Sequence, residues 1–469
     1  MENIKLEEII KAVNGELVIT GEKDEYNSVS TDTRKIEKGD IFIALKGENF
    51  NGNNFVEMAI EKCAALCIVS EINFSEGKVG KSSYVIKVEN TNKALLDLAK
   101  YYRSKLDIKV VAITGSTGKT STKDLVAAVL SEKYKVFKTE GNFNNEIGLP
   151  LMIFKLDKSY DIAVLEMGMN HFNEIHNMAE AAKPDIAIIT NIGISHIENL
   201  GSRENILKAK LEITDFFCKD SILIINGDDD LLSNFESDKF KVYKIGTDKK
   251  FDFNGDNLNL EAESIKFDIL EQGKTAYRCF SVNVPGKHNV LNSLTAIACG
   301  RVLDINYRDI QTGIKNLKAT SMRLDIIKEK GFTIINDCYN ASPDSMKAAI
   351  DVMKNIKGKR TIALLGSMME LGSEGYRAHR EVSEYAREKG IDLLFSIGEF
   401  SEAYREGFEE INKENYKSFL NNEEAAKYIK NIIKDGDIIL IKASRAMKLE
   451  EIVKELRIKQ EKIGGDLLT

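Results

Sequence analysis

Hydrophobic positions along this chain fall into short unbroken runs separated by stretches with helical spacing. Val110–Ile113, Ile162–Leu165, Ile186–Thr190 and Ile222–Ile225 consist almost wholly of Val, Ile, Leu and Ala. Strands buried on both faces read this way. Helical segments lie between them, among them Lys123–Leu130 and Arg203–Phe217, so the pattern predicts a parallel sheet with helices on both faces. The more polar, alternating stretch Asp248–Ser281 predicts antiparallel strands at the sheet edge, and Asn289–Val302 a helix. From about Lys315 the pattern restarts. Strands at Thr333–Asn336, Thr361–Leu365, Leu393–Ile397 and Asp437–Ile441 alternate with helices at Pro343–Lys354, Arg377–Lys389, Glu423–Lys434 and Lys448–Leu456. Pro343 in a first turn, with Asp344 beside it, is a helix start signal. Ahead of residue 107, strand-like runs such as Asp40–Leu45 alternate with helices at Phe55–Lys62 and Thr91–Ser104. The 469 residues therefore divide into three blocks, 1–106, 107–314 and 315–469, within the two to four domains that about this length accommodates.

The second block opens on Thr114-Gly115-Ser116-Thr117-Gly118-Lys119-Thr120-Ser121, directly after the Val110–Ile113 strand. Strand, tight Gly/Ser/Thr loop and helix form the setting of a phosphate-binding loop. Its backbone N–H groups converge on an anion, the helix N-terminus adds positive potential, and Lys119 supplies a point charge. Thr120 is placed to ligate a Mg²⁺ that bridges phosphates. The ordinary alternative is a glycine-rich turn before a plain helix. The spacing is G-x-x-G-K-T, more compact than the common G-x-x-x-x-G-K-[ST] form. The expected fold is α/β in three domains. A central P-loop-type, mostly parallel sheet carries helices on both faces, a Rossmann-like α/β domain follows it, and a small α/β domain precedes it.

Two strand ends add chemistry. Glu166 closes the run Asp161–Leu165, at the end of a parallel sheet where ligands bind. It reads either as a Mg²⁺ ligand or as a solvated acid. His196 ends the run Ile186–Ser195, and a lone histidine there is either structural or ligating. With both strands ending beside one phosphate loop, Glu166 and His196 are candidates to share a cation that also touches phosphates. Lys210, in Ala209-Lys210-Leu211-Glu212, reads by itself as a surface lysine.

Composition narrows the function classes. Net charge is −7, with Lys and Arg scattered through the chain, which gives no support to nucleic-acid binding. Apolar and charged contents of 43% and 30% are those of a soluble globular protein. No apolar run reaches membrane-spanning length, and the charged N-terminus is not a signal peptide. The six cysteines show no zinc-type pairing. Cys63 and Cys67 read as small core residues, and a reducing cytoplasm is the expected location.

A family resemblance covers all three blocks. Gly115–Ser121, Gly141-Asn142-Phe143-Asn144-Asn145-Glu146-Ile147-Gly148, Glu166-Met167-Gly168, Thr190-Asn191-Ile192 with His196, Ala209-Lys210 and Pro285–Asn292 resemble the central domain of the Mur ligases. Ser30–Arg34 and Gly39–Glu48 in the first block match the same family. So do Asp337–Met346, Met369-Glu370-Leu371-Gly372 with His379, and Lys442-Ala443-Ser444-Arg445 in the last. Together they resemble the branch that adds a D-Ala-D-Ala dipeptide. The D-N-P-R motif of the branch that adds a diamino acid is absent. Asn51 and Asn53 stand where the family usually has Asp and His. Asn336, Ser342, Ser367, Ala443, and Met322 and Asp325 around Arg323, are further departures.

This resemblance implies an ATP-dependent amide ligase of peptidoglycan precursor synthesis, acting on UDP-N-acetylmuramoyl-tripeptide and D-Ala-D-Ala. Catalysis would fall to Lys119, Glu166, His196 and Lys210. Gly115, Ser116, Thr117, Gly118, Lys119, Thr120 and Ser121 would hold ATP phosphates. Arg323 would reach them from the third block, Asp337 would bond the ribose, and Asn289 and Asn292 the adenine. One Mg²⁺ would bind Thr120 and Glu166. A second would bind His196 and a carbamylated Lys210. Asp32, Thr33, Arg34 and Lys46 would grip the UDP-substrate, with Asn142 and Asn145 as further substrate contacts. Lys442, Ser444 and Arg445 would close on the site. A monomer is expected, with no nucleic acid or membrane span, and the ligand-free state is expected to hold these groups apart. The rival readings are folylpolyglutamate synthase, which shares the ATP core, and a nucleotide-dependent switch or motor.

Overall fold

A computed structural model of the chain describes residues 1–22, 25–75, 83–248, 250–317, 322–409 and 413–457. Three sheets follow one another along it, each built from the apolar runs. The first contains β1 (Glu16–Ile19), β2 (Val29–Ser30), β3 (Ile41–Ile43), β4 (Leu66–Val69) and β5 (Tyr84–Lys87), in the order β1-β5-β4-β3-β2. Only the β1–β5 pair is antiparallel.

The second sheet has nine strands. They are β6 (Lys109–Thr114), β7 (Val136–Lys138), β8 (Ile162–Glu166), β9 (Ile186–Ile189), β10 (Ile222–Asn226), β11 (Lys241–Gly246), β12 (Phe253–Leu260), β13 (Ile265–Glu271) and β14 (Lys274–Val282). Their order is β14-β13-β12-β11-β10-β9-β6-β8-β7, parallel from β7 to β12. β12, β13 and β14 run antiparallel, as the alternating stretch Asp248–Ser281 predicts. β6 lies between β9 and β8, so connections leave it toward both sides. This is the switch point where α/β sheets open a ligand crevice.

The third sheet, β15 (Asp325–Glu329), β16 (Phe332–Asp337), β17 (Arg360–Gly366), β18 (Leu393–Ile397), β19 (Tyr416–Phe419) and β20 (Asp437–Lys442), has the order β15-β16-β20-β17-β18-β19. It is parallel except for the β15–β16 edge pair. Separate apolar clusters fill its two faces. The fold class is as the sequence predicts.

The joints between sheets differ. One apolar cluster runs from Ile4 through Leu98 and Tyr102 to Leu165 and Leu232, spanning the first and second sheets. Helix Thr91–Ser104 is tied across that joint. The Tyr102 hydroxyl donates to Leu156 O (2.5 Å), and Arg103 donates to Ala182 O and Ile108 O. The third sheet meets the second through polar side chains such as Arg323 and Glu370 and through the apolar Ile194, which packs against the third sheet's core. Local departures from the sequence reading are small. Arg203–Phe217 is helix only to Leu211, followed by a 3₁₀ turn at Glu212–Thr214. Cys67 is buried as expected, but Cys63 is exposed. Cys63 ends the turn after helix Val56–Glu61 with φ 65°, which carries its side chain away from the core.

Candidate active site

β6 ends at Thr114, the loop runs from Gly115 to Gly118, and helix Lys119–Leu130 begins at once. The glycines are required. Gly115 has φ 149°, and a Cβ there would lie 1.8 Å from Thr190 Oγ1. Gly118 has φ 79°, and its Cβ would lie 2.9 Å from Asn292 Oδ1. The strand beside the loop grips it. Thr117 N donates to Asn191 Oδ1 (2.9 Å), Asn191 Nδ2 donates to Thr117 Oγ1 (2.6 Å), and Thr190 Oγ1 donates to Thr117 O (2.6 Å). Ser116 N donates to Asn191 O (3.1 Å), and Ser116 Oγ accepts from Gly193 N (2.9 Å). Lys119 folds back so that Nζ donates to Gly115 O at 2.7 Å. Burial lowers its pKa. Ser121 is half-buried on the first helical turn.

Three elements meet at Thr120. Its hydroxyl donates to Glu166 Oε2 at 2.9 Å and accepts from Arg323 Nη2 at 2.9 Å. Glu166 ends β8, buried, and its other oxygen accepts from Asn144 Nδ2 at 2.9 Å. The Arg323 guanidinium lies 4.2 Å from the Tyr339 ring centroid. Its Nε is buried without a hydrogen-bond partner among the described residues. The third sheet thus stands closed on the loop. Polar contacts made by Arg323 and Glu370 already join the two sheets. Of the asparagines in the Gly141–Gly148 segment, Asn142 is exposed and Asn145 accepts from Gly148 N (2.8 Å). Asn144, between them, is the one that reaches Glu166.

His196 and Lys210 flank the same loop. The third sheet supplies Glu370, whose Oε2 lies 2.7 Å from His196 Nδ1, although the ring is not aligned for a hydrogen bond and Nδ1 has no hydrogen-bond partner among the described residues. The imidazole holds the Glu370 carboxyl below its ordinary range. Lys210 is not a surface lysine. It is 1% exposed on helix Arg203–Leu211, and its amine makes no hydrogen bond or ion pair among the described residues. Burial, and then the charge of Lys119, push its pKa well below 10.5.

Other residues the sequence singles out are turned to one another. Asn292 Nδ2 donates to Asn289 Oδ1 (2.9 Å), Asn289 Nδ2 donates to Pro285 O (2.7 Å), and Thr122 Oγ1 donates to Asn292 Oδ1 (3.2 Å). Both asparagines are buried behind the phosphate loop. Lys442 and Asp337 form a buried ion pair at 2.5 Å, and Asp337 Oδ1 also accepts from Leu324 N. Ser444 Oγ accepts from Met369 N at 3.0 Å, and Arg445 pairs with Glu450 at 2.6 Å. In the first sheet Asp32 holds Arg34 through two oxygens, Thr33 is buried beside them, and Lys46 pairs with Glu71 at 2.6 Å. Asn51 and Asn53 carry structural bonds there. Asn51 Nδ2 donates to Glu71, and the fully buried Asn53 donates to Asn51 and Ser70. None of Asp32, Thr33, Arg34 or Lys46 bonds to the second or third sheet among the described residues. Asn144, Thr190, Asn191 and Glu370 lay in the quoted motifs, yet only the fold shows what they touch.

The donor set suits a hard cation. Thr120 and Glu166 offer one hydroxyl and one carboxylate. No group of three or more His, Cys, Asp or Glu side chains gathers for a metal among the described residues. Mg²⁺ characteristically binds one or two carboxylates, waters and substrate phosphates, so this partial set fits it. A buried amine without a counter-charge likewise fits conversion to a carbamate, which would carry the negative charge that Lys119 and a cation call for.

Comparison with known proteins decides the family. The family models for the Mur ligase family catalytic domain, the Mur ligase middle domain and the Mur ligase glutamate ligase domain match residues 25–103, 113–300 and 322–445. The chain is 42% identical over 438 residues to the UDP-N-acetylmuramoyl-tripeptide–D-alanyl-D-alanine ligase of Bacillus subtilis, covering 93% of this chain and 94% of the relative. The chain belongs to the Mur ligase family. Among solved structures, this Mur ligase superimposes on MurF from Acinetobacter baumannii with a TM-score of 0.88. That match has 28% identity and covers 98% of this chain and 99% of the other. MurF ligase from Thermotoga maritima, solved in complex with ADP, gives a TM-score of 0.80 at 27% identity, covering 92% and 97%. No helix among the described residues is long and apolar enough to cross a membrane.

Proposed function

We propose that this Mur ligase joins D-Ala-D-Ala to UDP-N-acetylmuramoyl-tripeptide at the expense of ATP, giving the UDP-linked pentapeptide, ADP and phosphate. The observation that carries this reading is the meeting at Thr120 of the phosphate loop, Glu166 from the second sheet and Arg323 from the third. The acceptor and sugar-nucleotide are those of the Bacillus relative, which aligns across all three sheets.

A carboxylate is a poor electrophile at neutral pH. In the proposed reaction a terminal carboxylate oxygen of the tripeptide attacks the γ-phosphorus and ADP leaves. The dipeptide amine then attacks the acyl phosphate carbonyl, loses a proton and expels phosphate. Lys119, the loop amides and Arg323 neutralise the phosphates through the first step, where positioning and electrostatics supply most of the rate. Thr120 and Glu166 would hold Mg²⁺, and His196 with a carbamylated Lys210 a second ion. Such ions supply charge neutralisation to phosphate and carboxylate oxygens when bound. Residues 1–106 would bind the UDP-substrate, 107–314 ATP, and 315–469 the acceptor. We take the protein as a cytoplasmic monomer.

ADP release with UDP-N-acetylmuramoyl-tripeptide tests the reading. It is expected to require D-Ala-D-Ala and to fall strongly with D-Ala alone. Equal rates with glutamate, or with a folate in place of the UDP-substrate, would overturn it in favour of folylpolyglutamate synthase. Hydrolysis indifferent to any acceptor would favour a nucleotide-dependent switch.

A further inference from the structure

Arg323 reaches the phosphate loop from a short segment ahead of β15, and its surroundings aim it. β15 and β16 pair antiparallel with Asp325 opposite Asn336. Residues ahead of β15 therefore run beside those after β16, which brings Met322–Leu324 next to Asp337–Tyr339. Two bonds clamp the segments together on either side of Arg323. Tyr339 N donates to Met322 O (3.2 Å), and Leu324 N donates to Asp337 Oδ1 (3.1 Å). The Met322 side chain adds a third tie, since its Sδ accepts from Arg445 Nη1 at 3.6 Å.

The backbone there is strained. Met322 has φ 62° and Leu324 φ 47°, both in the left-handed region that non-glycine residues rarely occupy. Such conformations persist where the surroundings over-determine them, and they gather at ligand clamps. With its backbone held at both neighbours, Arg323 still has a long side chain to be placed. Its guanidinium carbon lies over the Tyr339 ring, 4.2 Å from the centroid. A guanidinium packed by its face on an aromatic keeps its edge for planar recognition of an anion. That edge is turned into the site. Nη2 donates to Thr120 Oγ1 at 2.9 Å, and Nε is buried with no hydrogen-bond partner among the described residues. A buried donor without a partner is costly, and a phosphate oxygen at the loop would satisfy it.

We propose that Tyr339 is the positioning residue of Arg323, its ring fixing the guanidinium so that Nε and Nη2 together meet the phosphoryl group being transferred. This rests on the proposed placement of Arg323 at the ATP phosphates. It deepens that placement by naming what aims the charge. The ring does the holding, so Tyr339 acts through Arg323 and not through its own hydroxyl.

Kinetics and a spectroscopic signal test this separately. Tyr339→Leu is expected to lower kcat for ADP release on the order of 10–100-fold, the scale of a misplaced group, with KM for ATP changed far less and the thermal midpoint near that of the parent. Tyr339→Phe keeps the ring and is expected to recover most of the loss. Lysine cannot present the flat fork, so in an Arg323→Lys background Tyr339→Leu is expected to cost about 2-fold at most. The Arg323 Nε–H proton signal, assigned by its loss in Arg323→Lys, is expected upfield of the other arginines in the intact protein, shifted by the Tyr339 ring current. It is expected to return toward them in Tyr339→Leu but not in Tyr339→Phe. Tyr339→Leu with unchanged kcat, or with the same fold-loss in both backgrounds, overturns the proposal. So does an Arg323 signal without the upfield shift in the intact protein, a result that needs no Tyr339 variant to fold. If the intact protein fails to release ADP in response to D-Ala-D-Ala, the proposed function falls, and the Arg323 signal still decides the positioning.

Discussion

Replacing Lys210 should move stability and activity in opposite directions. The amine is buried on helix Arg203–Leu211 with no counter-charge, and its pKa is driven well below 10.5 by burial and by Lys119. The unfolded chain holds this proton to about pH 10.4, whereas the folded chain releases it earlier. The unfolded state therefore binds more protons between the two values, and stability rises with pH across that window. Each unit of depression costs the fold about 1.4 kcal/mol in the window and below it. Lys210→Met keeps the length and apolar stem and removes the amine. At neutral pH without CO₂ it is expected to stabilise the fold by about 1–4 kcal/mol, the range seen when a buried ion pair is replaced by apolar groups, and to flatten the rise of stability with pH. Turnover should fall on the order of 100-fold or more, as for loss of a group that stabilises transition-state charge. Urea unfolding at neutral and alkaline pH and ADP release measure the two arms. Bicarbonate should restore activity to CO₂-depleted intact protein and do nothing for Lys210→Met, while short carboxylic acids should rescue part of Lys210→Ala. A folded Lys210→Met that turns over normally, or one clearly less stable than the parent, would refute the reasoning.

Three further outcomes are expected. Lys119→Ala should leave the thermal midpoint nearly unchanged and cost about 3 kcal/mol or more of transition-state stabilisation, on the order of 100-fold in kcat; near-normal activity would remove the nucleotide assignment. Gly115→Ala should abolish binding of an ATP analogue, measured by calorimetry, because φ is 149° and the new methyl would stand 1.8 Å from Thr190 Oγ1, itself fixed to Thr117 O. Lys442→Met should destabilise the third sheet by about 3–5 kcal/mol in denaturant unfolding by stranding the buried Asp337, and Asp337→Asn in the same chain should recover part of it.

The sheets and the phosphate loop were legible because their signals are local. An unbroken β-branched run makes a buried strand wherever it lies, and Gly115 to Lys119 forms its loop between one such strand and its own helix. The approach of Glu166 to Thr120 followed from reading Glu166 as a strand end beside the phosphate loop that carries Thr120. Residues acting through long-range contact carried no such signal. Lys210 looks like any lysine on a helix until the fold buries it. Asn142, Asn144 and Asn145 are equivalent on paper, and only the turn decides that Asn144 faces Glu166. Lys442 was expected only to close on the site, but β16 and β20 pair in register, Asp337 opposite Lys442, which spends it on an ion pair. Cys63 sits in an apolar stretch, yet its left-handed backbone turns it outward.

The unequal joints explain how such a site can work in cycles. The first and second sheets share one apolar cluster, and parting them would expose Leu98, Tyr102 and Leu165 to water. The third sheet is joined to the second by Arg323 on Thr120 and Glu370 on His196, with Ile194 at the edge of the third sheet's core. Polar contacts of this kind exchange for water at small net cost, so opening is cheapest between the second and third sheets. In the proposed reaction, closing there would bring Arg323 and Glu370 to the loop together and complete the charge around the phosphates as water is excluded from the acyl phosphate. In that reaction the first two sheets would act as one body holding the ATP and UDP-substrate ends, and the third as the body that would deliver the acceptor and the last two charges.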